Sequence, residues 1–222
     1  MPSAIYLFDI DGTLLRAGGA GSRAFDEVMR EQHAIDNASA GTAFGGKTDP
    51  WIIDDIFRRH LGRPARAAER AAFLERYLPL LDAELERRPL RVLPSVASTL
   101  ATLGASAALG VATGNVEPAA AIKLRHAGLS AHFRFGGYGS DSHDRAELVA
   151  VAIARARAFA AATTPVVVVG DTVHDIAAAR ACDVEVCAVA TGGAPREALG
   201  AADAVFDSMH ELVAWHQRRF AA

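Results

Sequence analysis

Four aspartates stand in two short motifs near opposite ends of the chain. Asp9 and Asp11 lie in Asp9-Ile10-Asp11-Gly12-Thr13, and Asp171 and Asp175 lie in Gly170-Asp171-Thr172-Val173-His174-Asp175. Each motif follows an apolar run, Ile5-Tyr6-Leu7-Phe8 or Val166-Val167-Val168-Val169, and a third run over 108–112 ends in Thr113-Gly114-Asn115. Ligands bind at the carboxyl ends of strands in open parallel sheets, so all three ends are candidate site edges. Four carboxylates brought to one edge repel each other and are tolerated only with a cation or shared protons. Carboxylate oxygens favour Mg²⁺, which binds through one or two carboxylates plus substrate phosphate. The phosphate needs donors in turn. Thr113 offers a hydroxyl, and Gly12, Thr13 and Gly114 offer backbone N–H groups in turns that approach closely. Asn115 either touches the phosphate or caps the next helix. A basic side chain must offset the remaining charge.

The elements that would position these residues follow from the hydrophobic pattern. Strands are expected at 5–8, 108–112, 166–169, 185–189 and, more briefly, 204–206. Helical stretches are expected at 95–103, 117–126, 145–161, 175–182 and 209–218. Runs this apolar alternating with helices predict a Rossmann-like parallel sheet covered on both faces. Residues 18–88 interrupt the alternation. Phe25, Val28 and Met29 form one helical stripe, Ile52, Ile53, Ile56 and Phe57 a second, and Phe73, Leu74, Tyr77, Leu78 and Leu81 a third. The expected organisation is an α/β domain over 1–17 and 89–222, with an all-helical domain over 18–88 inserted after the first strand.

Together the three strand ends resemble the motifs of the haloacid dehalogenase superfamily of phosphohydrolases. Asp9-Ile10-Asp11-Gly12-Thr13 is similar to its first motif, Thr113 to its second, and Gly170-Asp171-x-x-x-Asp175 to its fourth. The insert lies where a C1-type cap lies, and the whole resembles the phosphoglycolate phosphatase-like branch. The resemblance implies a Mg²⁺-dependent phosphatase acting on a small phosphorylated metabolite. Asp9 would be the nucleophile that forms an aspartyl-phosphate. Asp11 would be the acid for the leaving oxygen and then the base for water. Thr113 would bond the phosphoryl group. Asp9, the Asp11 carbonyl and Asp171 would bind Mg²⁺, with Asp175 supporting them. A sugar phosphomutase of the beta-phosphoglucomutase type would use the same Asp9 and Asp11. A non-catalytic phosphate-sensing switch is the alternative from another class, but such receiver domains lack the Asp-x-Asp-Gly-Thr motif.

The third motif departs from the family pattern, which places a Lys before a helix start. Here the segment reads Ser140-Asp141-Ser142-His143-Asp144-Arg145, and Arg145 is the positional match, with Asp144 at the cap. Its rival is Lys123, some two turns into the helix after Thr113, which could equally be a solvated lysine near a helix C-terminus. The chain holds 21 Arg and only two Lys, so each Lys stands out. The other is Lys47, in Phe44-Gly45-Gly46-Lys47-Thr48-Asp49-Pro50. Thr48 or Asp49 can cap the helix that Pro50 opens. In the family such a loop faces the substrate, and Lys47 there would favour a second anionic group.

Composition excludes other classes. Net charge is −3, which gives no reason to expect nucleic acid, and the apolar content excludes disorder. Two cysteines, Cys182 and Cys187, do not make a disulfide scaffold. Residues 92–117 are uncharged until the last, but Pro94, Gly104, Gly110 and Gly114 break them, so no membrane span is expected. The first residues have no basic segment and no apolar core of a signal peptide. A cytoplasmic monomer or homodimer is the expectation.

Overall fold

The computed structural model describes residues 2–220; Met1, Ala221 and Ala222, at the two ends of the expected α/β domain, lie outside the described residues. Strands in chain order are β1 (Ile5–Phe8), β2 (Leu15–Arg16), β3 (Arg91–Val92), β4 (Ala108–Thr113), β5 (Gly136–Tyr138), β6 (Val166–Gly170), β7 (Glu185–Val189) and β8 (Ala204–Phe206). Six of them form one parallel sheet in the order β5-β4-β1-β6-β7-β8. The helices are α1 (Ala20–His33), α2 (Asp49–Leu61), α3 (Ala67–Arg87), α4 (Val96–Gly104), α5 (Glu117–His126), α6 (Arg145–Ala156), α7 (Val173–Ala181) and α8 (Glu211–Phe220).

The central strands β1, β4 and β6 are buried at every position because both faces of the sheet are covered. Tyr6, Phe8, Leu109, Val111, Val167 and Val169 pack towards α4, α5 and α8. Their neighbours Ile5, Leu7, Ala108, Ala112, Val166 and Val168 pack towards α6 and α7. The two sets alternate residue by residue, as a pleated strand requires. Between β2 and β3 the chain is helical. The stripes expected at 25–29, 52–57 and 73–81 meet in a third cluster that Val116 and Ala119 of the α/β part join.

Two pairings were not legible in the sequence. β2 and β3 pair antiparallel at the two ends of the insert, Leu15 with Val92 and Arg16 with Arg91. They are too short to have a period. β5 is Gly-Gly-Tyr, without the β-branched residues that mark strands.

Three of the helix bounds that differ from the pattern have a local cause. α6 stops at Ala156 because the Arg157 guanidinium donates to the carbonyls of Ala161 (3.1 Å) and Thr164 (2.8 Å), which closes a turn where more helix was expected. α7 starts two residues early, since Thr172 and Asp175 form a reciprocal capping box. α8 starts at Glu211, whose carboxylate accepts the N–H groups of Asp207 and Ser208.

Candidate active site

β1 lies between β4 and β6, so Asp9, one residue past β1, sits between Thr113 and Asp171. All three are buried. Carboxylate oxygens of Asp9, Asp171 and Asp175 lie within 4.8 Å of one another. Into this cluster α6 sends its first residue. Asp144 caps the helix, accepting from the Ala146 N–H at 2.7 Å. Arg145 Nη2 lies 3.1 Å from Asp9 Oδ2 and 2.5 Å from Asp175 Oδ1, and Nε donates to the same Asp175 oxygen at 3.1 Å. The other Asp175 oxygen accepts from the Thr172 N–H (3.0 Å) and hydroxyl (2.7 Å). Both Asp175 oxygens are thus occupied by protein donors.

Asp171 is held differently. Its Oδ1 accepts from the Thr13 hydroxyl at 2.9 Å. Its Oδ2 lies against the backbones of Gly12 and Gly192, where an added Cβ would sit 2.4 and 1.6 Å from it. Gly12 also has φ +88, a left-handed conformation that side chains resist. Gly12→Ala is therefore expected to destabilise the protein by about 1–3 kcal/mol, read from its denaturant midpoint. An unchanged midpoint would show that Asp171 has room to move.

The cluster carries too much negative charge. Burial raises Asp9 to about 6, with Arg145 opposing and Asp175 and Asp11 adding to the rise. Burial raises Asp171 to about 8, with Asp9 and Asp175 adding. Three carboxylates share one guanidinium, so a divalent cation is the natural complement. The donor set fits one: it is all oxygen, and Asp171 Oδ2 has no protein donor. Asp9 and Asp171 would hold such an ion, and Asp175 would fix Arg145 beside it.

Across from the cluster, Asn115 joins three groups. Its Nδ2 donates to Asp11 Oδ2 and to Thr113 Oγ1, both at 2.9 Å, and its Oδ1 accepts from Lys123 Nζ at 2.6 Å. Lys123 Nζ also donates to Asp11 Oδ2 at 2.5 Å. Asn115 therefore does not cap α5, whose cap residue is Val116. Because the Thr113 hydroxyl accepts from Asn115, its own proton is left to donate. Lys123 is buried, not solvated. Helical side chains lean towards the N-terminus, so a lysine two turns in reaches back to the strand end. Both candidates for the third motif thus reach the site. Arg145 meets Asp9, and Lys123 meets Asp11.

One expectation needs correction. The Gly12 N–H donates to the Leu15 carbonyl at 2.8 Å, so it is not free for a phosphate. The Gly12 backbone and the Thr13 hydroxyl both bear on Asp171. Gly114 sits under the insert, its carbonyl accepting the Asp49 N–H at 2.8 Å. Thr48 caps α2, accepting from the Trp51 N–H at 3.3 Å. Asp49 Oδ2 accepts from the Val116 N–H at 2.8 Å, so the start of α2 is bonded to the ends of β4 and α5. The Lys47 ammonium lies over the Trp51 ring, 5.0 Å from its centroid.

Between the sheet edge and the insert is a cavity of about 360 Å³. Asp9, Asp11, Thr113, Asn115, Lys123, Arg145 and Asp171 line its floor. Phe25, Phe44, Lys47, Asp49, Ile52 and Tyr77 line its roof. The sequence stripe had marked Phe25, Ile52 and Tyr77 only as core. Gly192 escaped notice, although Thr191-Gly192-Gly193 after β7 is a polar strand end like the other three.

The model of the haloacid dehalogenase-like hydrolases matches residues 4–183. A comparison with curated proteins gives no match. Among solved structures, CbbY from Rhodobacter sphaeroides in complex with phosphate is similar, at 20% identity over 96% of each chain and a TM-score of 0.73. A haloacid dehalogenase-like family hydrolase from Streptococcus pneumoniae is similar at 18% identity, over 97% of this chain and 99% of that one, with a TM-score of 0.69. A structure described as a predicted phosphoglycolate phosphatase from Haemophilus somnus is similar at 19% identity, over 97% and 98%, with a TM-score of 0.69. At these identities the likeness is one of fold. Among the described residues no helix is long and apolar enough to cross a membrane.

Proposed function

The chain belongs to the haloacid dehalogenase-like hydrolases, and from that premise we propose that it hydrolyses a small phosphate monoester in two steps on Asp9. The observation that carries this reading is the division of labour between two carboxylates at one cavity floor. Asp9 is buried against Arg145, while Asp11, across from it, is held by Lys123 and Asn115 and stays open to the cavity. In the first step an Asp9 oxygen attacks phosphorus, the ester oxygen leaves, and Asp11 gives that oxygen its proton. In the second step water gives a proton to Asp11 and attacks the aspartyl-phosphate. Asp9 leaves as a carboxylate and phosphate is released. Arg145 and the Thr113 hydroxyl stabilise charge on the phosphoryl oxygens, the main lever in such transfers. Mg²⁺ held by Asp9, Asp171 and the Asp11 carbonyl would neutralise further charge there. The insert serves as a cap that keeps bulk water from the reacting groups. Its division from the α/β domain at 18 and 88 is part of this reading.

The test is release of inorganic phosphate from a panel of small esters, with Mg²⁺ and with chelator. No release from any ester in Mg²⁺ would sink the reading. A phosphomutase would instead move the phosphoryl group between positions of a sugar phosphate without net release.

A pH experiment tests the cation site without turnover. Asp9 and Asp171 titrate near 6 and 8 when folded, above the ordinary carboxylate value of about 3.9. The folded protein therefore binds protons that the unfolded chain gives up. Their contribution to stability is complete below about pH 4 and is lost as pH rises through the folded values. In chelator, Tm is expected to fall between pH 5 and pH 8.5. With Mg²⁺ in place of the protons the fall should shrink or vanish. A gap between the two curves that does not widen with pH would count against the site.

A further inference from the structure

The cavity has two chemically different ends. Three cations reach it, and two of them are paired with carboxylates. Arg145 is bonded to Asp9 and Asp175, Lys123 to Asp11 and Asn115, and Lys47 lies over Trp51. The centre of the roof above them is aromatic. Phe25 packs on Tyr77 with ring centroids 4.6 Å apart and on Phe44 at 5.9 Å. A carboxyl group, Asp49, is fixed within this roof by a bond to the core; burial raises it to about 6, with Lys123 opposing, so it is charged above that pH. A second anion on the substrate would exchange water for aromatic walls and face Asp49, and the one cavity cation without a carboxylate partner, Lys47, is drawn over Trp51. One polar group in the roof is unused. Tyr77 is 1% exposed, lines the cavity, and its hydroxyl has no hydrogen-bond partner among the described residues. A buried phenol ordinarily finds one.

Resting on the phosphatase reading above, we infer that the substrate carries one anionic group only, its phosphoryl. Its leaving group is uncharged, presents an apolar face to Phe25 and Phe44, and carries a hydroxyl that bonds Tyr77. Asp49 acts as a specificity residue by rejecting a carboxylate or second phosphate. Lys47, engaged by Trp51, does not select for an anion.

Three matched esters test this: phenyl phosphate, 3-hydroxyphenyl phosphate and 4-carboxyphenyl phosphate. Binding to the Asp9→Asn protein in Mg²⁺ is measured by calorimetry, and kcat/KM is measured on the wild-type protein. Phenyl phosphate should bind at least about tenfold more tightly than its carboxylated counterpart. The 3-hydroxyl should tighten binding further, and Tyr77→Phe should erase that gain. Asp49→Asn, whose amide oxygen can still accept the Val116 N–H, should narrow the carboxylate penalty. Equal or tighter binding of 4-carboxyphenyl phosphate, binding of none of the three, or a hydroxyl gain that survives Tyr77→Phe overturns the inference. Failure of the phosphatase reading looks different. The wild-type protein would then release no phosphate, while the order of binding to Asp9→Asn would still decide the leaving-group class.

Discussion

Asp9→Asn is expected to lower phosphate release by roughly 10⁴ to 10⁶, the scale on which loss of a nucleophile is felt. An amide oxygen does not attack phosphorus at a useful rate, and neither Asp11 nor Asp175 is placed to replace the lost carboxylate. Asp11 is turned towards Lys123 and Asn115, and Asp175 is bonded on both oxygens. The same substitution should leave the fold intact. Burial already disfavours charge on Asp9, which titrates near 6, so above that pH a neutral, isosteric side chain relieves repulsion with Asp175 and Asp11 while losing one bond to Arg145. Tm in chelator should therefore stay within a few degrees of wild type. Rapid quench with a labelled ester gives the complementary readout, since a phosphorylated protein should accumulate in wild type and be absent from the variant. Turnover within tenfold of wild type would remove Asp9 from the reaction.

Arg145→Met should be costly twice over. The guanidinium is 9% exposed and is the cation that bridges Asp9 and Asp175. Removing one partner of a buried ion pair strands the other charge, at about 3–5 kcal/mol. The variant should thus unfold at markedly lower denaturant, and Mg²⁺ should recover part of the loss. Activity under conditions where the variant is folded should fall at least about a hundredfold, because a stabilising charge beside the phosphoryl oxygens is gone. Arg145→Lys separates the two effects. It keeps the charge but not the forked geometry, so it should restore stability more than rate. Lys123→Met provides the contrast. It frees Asp11 and should lower kcat at least tenfold, with a smaller loss of stability, because Asp11 is 41% exposed and can be hydrated. Should Lys123→Met abolish turnover and Arg145→Met leave it intact, the two residues have been given each other's roles.

Much of this site is local in origin, and that is why it could be read. A strand buried on both faces must be apolar, so a polar residue directly after it marks the sheet edge. Asp9, Thr113 and Asp171 were legible for that reason. Asp144 was legible as a cap because the capping bond spans only two or three residues, whereas the cap at Thr172 was missed and α7 was expected to begin at Asp175. What could not be read depends on residues far apart in sequence. Lys123 had no sequence feature to distinguish a solvated lysine from a buried one. Its burial follows from the lean of its side chain and from Asp11, 112 residues away. Tyr77 had the spacing of a core residue and is one, but its hydroxyl reaches the cavity. Gly12 looked like an open phosphate-binding turn, and the Leu15 carbonyl closes that donor.

By itself the sequence determined the parallel sheet, the helical insert and the set of carboxylates that meet at one edge. Periodicity and strand ends are properties of a few neighbouring residues, and burial leaves little choice about them. Only the tertiary structure decided which cation faces which aspartate, how Asp171 is wedged between two glycine backbones, and what the roof offers a substrate. Those outcomes turn on ångström-scale distances between segments separated by tens of residues. Coulomb and hydrogen-bond energies change steeply over such distances. Residue types along a chain do not encode them until packing brings the segments together.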